Sequence, residues 1–108
     1  MKMPECFDNC LQCITACERC AFECCAKMPD HAECLKACLT CADACSACIR
    51  VCSRGSKIGG EFLTLCVSAC EACAKECEKH EDALCQECAD VCRQCAEKCK
   101  ECCKACCA

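Results

Sequence analysis

The recurring apolar positions of this chain fall at alternating intervals of three and four residues, and the residue that carries the pattern is cysteine. Cys6, Cys10, Cys13, Cys17, Cys20 and Cys24 form a first run, and Cys34, Cys38, Cys41, Cys45, Cys48 and Cys52 a second. Cys66, Cys70, Cys73 and Cys77 form the third; Cys85, Cys88, Cys92, Cys95, Cys99, Cys102 and Cys106 form the fourth. A shift of 28 residues lays the first run on the second, 32 lays four cysteines of the second on the third, and 22 lays the third within the fourth. This is an internal repeat of one amphipathic element. Alternating steps of three and four are the a/d seam of a heptad, which puts the thiols of each run on one stripe of an α-helix. Of the 26 cysteines, 23 obey it; Cys25, Cys103 and Cys107 lie off the seam.

Start and stop signals agree on four helices. Asp30 and Glu33 read as a capping box just after Pro29, Gly55, Gly59 and Gly60 mark a loop, and Asp82 is a candidate N-cap before the last run. Helices are predicted near residues 5–27, 31–53, 60–79 and 82–106. Short connections favour an antiparallel up-down-up-down four-helix bundle, all-α, with the four thiol stripes facing one another in a cysteine-lined core. The whole chain, 1–108, reads as a single domain. A second apolar stripe beside the thiols, Phe7, Leu11, Ile14, Leu35, Leu39, Ile49, Leu63 and Val67, would seal neighbouring helices and leave apolar surface that favours self-association.

Composition makes the thiols indispensable. Leu, Ile, Val and Phe together number 15 in 108 residues, too few for an ordinary core. Net charge is −4 with both signs interspersed and three aromatic residues, so neither a phosphate-tracking face nor base-stacking platforms are present and nucleic acid is excluded as a partner. No apolar run has signal-peptide or membrane-spanning length, which predicts a soluble, cytoplasmic protein with no membrane association. A reducing compartment argues against a disulfide framework and for metal chemistry.

Helical geometry argues the same way. Residues at i,i+3 and i,i+4 hold their Cβ atoms about 5 to 6 Å apart, beyond the roughly 3.5 to 4.5 Å of a disulfide. Bridges are therefore confined to facing helices. As mere small hydrophobes the cysteines could be Ala or Val without the oxidation hazard. Soft thiolates select Cu(I), Zn(II) or iron–sulfur clusters, and the ferredoxin spacing is absent. Isolated tetrathiolate zinc sites would each leave roughly two uncompensated charges inside, whereas one Cu(I) per thiolate is neutral. The pattern points to many Cu(I) ions on the 23 seam thiols, with a metallothionein-like Zn(II)/Cd(II) store as the alternative. A thiol oxidoreductase would need a C-x-x-C on a βαβ unit, and no strand pattern occurs, so no enzymatic activity is expected.

The segments Cys34-Leu35-Lys36-Ala37-Cys38, Cys66-Val67-Ser68-Ala69-Cys70-Glu71-Ala72-Cys73 and Cys88-Ala89-Asp90-Val91-Cys92, with His80 before the last helix, resemble the bacterial copper storage proteins over essentially the whole chain. The resemblance is to the cytosolic branch. It implies a bundle whose core cysteines hold many Cu(I) ions, assembled as a homotetramer, with copper chaperones as candidate exchange partners. Cys25, Cys103 and Cys107 exceed the seam and are candidate extra ligands. Because the first and third loops share one end, Met28, His31 and His80 are candidate ligands at a mouth, passing copper to Cys24, Cys34, Cys77 and Cys85. Met1, Met3, the glycine loop and the Cys-rich C-terminus are a candidate second access point.

Overall fold

Each seam forms a helix. The computed structural model describes the backbone of residues 5–106 and the side chains of residues 6–102. Helix α1 spans Glu5–Glu23, α2 Ala32–Ser53, α3 Gly59–Cys77 and α4 Ala83–Cys106. Ala, Glu, Lys and Gln on their outer faces are strong helix formers. Each helix packs on two neighbours, α1 on α2, α2 on α3, α3 on α4 and α4 back on α1, giving the expected antiparallel square. The molecule measures 42 × 20 × 18 Å. A helix with its side chains is about 10–12 Å across, so the section is two helices by two and the core is a single column of side chains.

That column is sulfur. The seam cysteines from Cys10 to Cys48, and from Cys66 to Cys99, are buried, and Cys6 is buried at the start of α1. Small alanines (Ala21, Ala42, Ala74, Ala89, Ala96) fill the buried positions beside them and let the helices approach. On the outside, Glu71 of α3 and Glu78 just after it accept from Lys100 (3.0 Å) and Arg93 (2.8 Å) of α4.

The helix ends differ from the expected ones for identifiable reasons. α1 stops at Glu23 instead of continuing to 27: Cys24 leaves helical geometry (φ −124°, ψ −70°), and a 3₁₀ turn follows over Cys25–Lys27. Pro29 ends that turn, because Met28 before it is restricted to the extended region (φ −116°, ψ 116°). A second 3₁₀ turn, Pro29–His31, leads into α2. The capping box does not form: no side-chain cap bond precedes α2, Asp30 instead bonds the His31 ring, and Glu33 pairs with Lys36. At α4 the Asp82 carbonyl accepts the Gln86 N–H, as an N-cap carbonyl should, but its carboxylate faces His31. Gly55 closes α2 in the left-handed region (φ 68°).

Leu63 is a further correction. Assigned above to the second stripe, it is buried at 4% exposure three residues before Cys66, on the seam itself. Gly59 lies four residues earlier on the same line. α3 therefore carries no thiol in its first seven residues, nearly two turns. The Cys52 thiol donates to the Gly59 carbonyl at 3.4 Å, which ties α2 to the start of α3 at this end. Leu11, Ile14, Leu35, Leu39, Ile49 and Val67 remain half-buried or exposed between helices as expected, while Phe7 is fully buried.

Candidate metal centre

The heptad phase aims one thiol per turn of every helix at the axis, and the four stripes interlock. In the middle of the bundle Cys13 Sγ lies 3.6 Å from Cys41, 3.9 Å from Cys70 and 3.7 Å from Cys92, touching all three other helices. Toward one end, Cys10 contacts Cys99 (3.7 Å), Cys95 (3.8 Å) and Cys66 (4.0 Å), and Cys45 reaches Cys66 at 3.6 Å. Toward the other, Cys17 meets Cys73, Cys88 and Cys92 at 3.8–3.9 Å, and Cys38 meets Cys73 and Cys77 at 3.8 Å. No sulfur in this chain of contacts is isolated from the next.

Quartets of sulfurs lie within mutual reach of one ion, and they share members. Cys13 belongs both with Cys17, Cys41 and Cys92 and with Cys45, Cys70 and Cys95; Cys17 and Cys92 recur with Cys73 and Cys88; Cys95 recurs with Cys10, Cys66 and Cys99. Sharing favours metals bridged by thiolates over separate closed sites. Closed tetrahedral sites for a divalent ion need four sulfurs each, whereas a column of shared sulfurs suits a metal bridged by thiolates at one charge per sulfur. Among the described residues no buried side-chain nitrogen or oxygen lacks a partner, and no lysine or arginine is buried in the core to offset excess thiolate charge, the buried His31 lying at its end against two carboxylates.

Protonation is uneven along the column. Cys13, Cys66, Cys73 and Cys88 are held below the usual thiol range by hydrogen bonds from neighbours, led by Cys17, Cys10, Cys17 and Cys17 respectively. Cys99 is lowered to about 5, chiefly by Cys10, and Cys45 to about 7, again chiefly by Cys10. Their donors Cys10 and Cys17 are pushed up. Burial is the main cause that raises Cys24, Cys25, Cys34 and Cys85 at the end of the column. Metal binding there must expel protons that burial retains.

That end is where the sequence reading expected a mouth, and the two connectors that carry Met28, His31 and His80 lie there. Cys24 contacts Cys85 at 3.9 Å, Cys20 contacts Cys85 at 3.7 Å, and Cys34 contacts Cys77 at 3.5 Å. Cys25, off the seam, is brought inside by the 3₁₀ turn, 3.7 Å from Cys20, and forms a quartet with Cys20, Cys34 and Cys38. Met28 is exposed, and His80 is half-buried. His31 is only 3% exposed; its Nδ1 bonds Asp30 Oδ1 at 2.9 Å, its Nε2 bonds Asp82 Oδ1 at 2.8 Å, and its ring stacks on His80 with centroids 3.6 Å apart. The Asp82 carboxylate, supported by Asp30, raises the His31 pKa against the opposing effect of desolvation.

The opposite end has another composition. Phe7 and Leu63 are buried there, and Cys6 of α1 is joined to Cys102 of α4 as a disulfide, a bridge between facing helices that withholds both sulfurs from metal until it is reduced. Cys52 is half-buried. Met1, Met3, Cys107 and the side chains of Cys103 and Cys106 lie outside the described residues.

Sequence reasoning missed two things at the mouth. Asp30 and Asp82 read as caps, though each carboxylate serves the His31 ring. Cys25 was set apart from the core ligands, and the 3₁₀ turn over Cys25–Lys27 is what carries its thiol to 3.7 Å from Cys20.

No curated protein sequence matches the chain. Among solved structures it is similar to the Cu(I)-bound copper storage protein BsCsp3, at 34% identity over 89% of this chain and 92% of that one, with a TM-score of 0.83. It is equally similar to apo copper storage protein 3 from Bacillus subtilis, at 34% identity over 89% of this chain and 93% of that one, with a TM-score of 0.82. The family model for the copper storage proteins matches residues 1–107. A four-helix bundle with a continuous column of buried thiols, matched from end to end by that model, belongs to the copper storage protein family.

Proposed function

We propose that this protein stores and buffers many Cu(I) ions on its core thiolates, limiting copper toxicity and supplying copper enzymes. The observation that carries the reading is the sharing of sulfurs between adjacent quartets, which suits a bridged monovalent metal better than separate Zn(II) or Cd(II) sites. The ligands are the seam thiols from Cys10 to Cys99 together with Cys25, joined by Cys6 and Cys102 when reduced. Its mechanism is binding and release without turnover. Copper passes through the end holding Met28 and His80, since the other end buries the apolar Phe7 and Leu63. A core of free thiols suits a reducing compartment, the cytosol. Exposed Leu11, Phe22 and Leu65 support assembly with copies of itself into a tetramer, and copper chaperones suit the mouth as donors or acceptors.

Anaerobic titration of the reduced protein with Cu(I) against a chromophoric chelator tests the store. Capture approaching one Cu(I) per core thiol before any free chelate forms is the expected result. A handful of ions bound, with Zn(II) filling the rest, would contradict it.

A further inference from the structure

The thiols at the mouth are shut away from solvent: Cys34, Cys77 and Cys85 are fully buried, Cys25 is 2% exposed and Cys24 only 8%. Copper reaching them must first displace what covers them. The cover consists of the two connectors at this end, residues 26–31 and 78–82, and one side chain ties them together.

His31 sits on the first connector, immediately before α2, and its Nε2–H donates to Asp82, immediately before α4. Helices α2 and α4 lie on a diagonal of the square, and their backbones do not pack on one another. A bond between the starts of diagonal helices has to cross the bundle axis, which is the line of the sulfurs. The ring is also stacked on His80 of the second connector and held from its own side by Asp30. A carboxylate accepts and does not donate, so both ring nitrogens carry the protons they share with Asp30 and Asp82, and neither has a lone pair left for a metal.

We propose that His31 is a latch across the copper mouth and not one of its ligands: its bond to Asp82 holds the two connectors closed over the sulfur column, and its release sets the rate at which copper exchanges. The proposal rests on the reading that copper passes through this end. His31 and Asp82 are positioning residues, and the lone pairs that receive copper belong to Met28, His80 and the thiols beneath. In the closed state the exchange rate scales with the fraction of molecules that are unlatched. A charge-assisted hydrogen bond is among the stronger side-chain contacts, so its loss should raise that fraction roughly tenfold.

Two variants separate latch from ligand. Asp82→Ser keeps an N-cap residue in front of α4 but is too short to reach His31. His31→Phe keeps a buried ring against His80 and removes both N–H donors. In reduced, metal-free protein we would measure Cu(I) uptake from a Cu(I)–chelator complex and the alkylation rate of each thiol by mass spectrometry. Both variants are expected to take up copper about tenfold faster, with Asp82→Ser at full capacity. Faster alkylation should be confined to Cys24, Cys25 and Cys85, leaving Cys10, Cys66 and Cys99 unchanged. Slower uptake in His31→Phe with no change in Asp82→Ser would make His31 a ligand and overturn the latch. Faster alkylation at both ends would mean general loosening and would overturn it too, as would unchanged rates throughout. A brief pulse of Cu(I) on the unsubstituted protein, quenched by alkylation, tests the mouth separately. Early protection of Cys24 and Cys85 upholds it whatever the variants do; early protection of Cys10, Cys66 and Cys99 would overturn the mouth and the latch with it.

Discussion

The two ends of the bundle grow from the same heptad repeat and diverge in what interrupts it. At one end α3 has Gly59 and Leu63 where the seam calls for thiols, Phe7 is buried, and Cys6 and Cys102 are joined. At the other the seam runs to the last turn, Cys25 adds a thiol beyond it, and the covering groups are polar: His31, His80, Asp30 and Asp82. A sulfur column needs a continuous seam, but access to it depends on the few residues in the connectors. On the proposed reading, one end holds the bundle together and the other admits metal.

The strongest way to break this contrast is at the apolar end. Phe7→Ala should lower metal-free stability by about 3 kcal/mol or more, read from the urea midpoint, whereas Phe22→Ala on the exposed face should stay within about 0.5 kcal/mol. Equal effects would remove the distinction between a packed end and a surface. Reducing the bridge between Cys6 and Cys102 sharpens the comparison next. The reduced protein should hold about two more Cu(I) ions than the oxidised one, one for each thiolate released, by copper analysis after gel filtration; equal capacity would place those sulfurs outside the store.

How far the pattern along the chain revealed these ends follows from its physics. The seam was legible because a period of three and four has one structural solution, and buried Cys10, Cys41, Cys70 and Cys92 fall where it requires. Leu63 was misread because it was grouped with its apolar kin and not by its phase, three residues before Cys66. That the connectors carrying Met28, His31 and His80 share one end was legible through loop topology alone. The wiring of that end was not, because an Asp beside a helix start can cap backbone N–H groups or accept from an imidazole, and only the fold brings His31 within 2.8 Å of Asp82.

Smaller effects complete the contrast. Met28→Leu and His80→Phe, which remove donor atoms while keeping bulk, should slow copper uptake several-fold at constant capacity, measured by stopped-flow with a Cu(I) chelate; unchanged rates would count against ligands at the mouth. The smallest effect is on the outer surface. Lys100 and Arg93 hold the Glu71 and Glu78 carboxyls below the usual carboxylate range. Their stabilisation is therefore complete above the unfolded value near 4.5 and is lost as pH falls through the lower folded values. Thermal melts of the metal-free protein should show a modest fall in that acid window, and Glu71→Gln with Glu78→Gln should reduce it; an unaltered fall would assign it to other groups.

The most direct test of the account is a crystal structure of the copper-loaded protein with copper located by anomalous scattering. It should place Cu(I) ions in succession along the axis, from the layer of Cys20, Cys25 and Cys34 through Cys13, Cys41 and Cys92 to Cys10, Cys66 and Cys99, with single sulfurs bridging neighbouring ions. A few separate four-sulfur sites, with the thiols between them unoccupied, would contradict it.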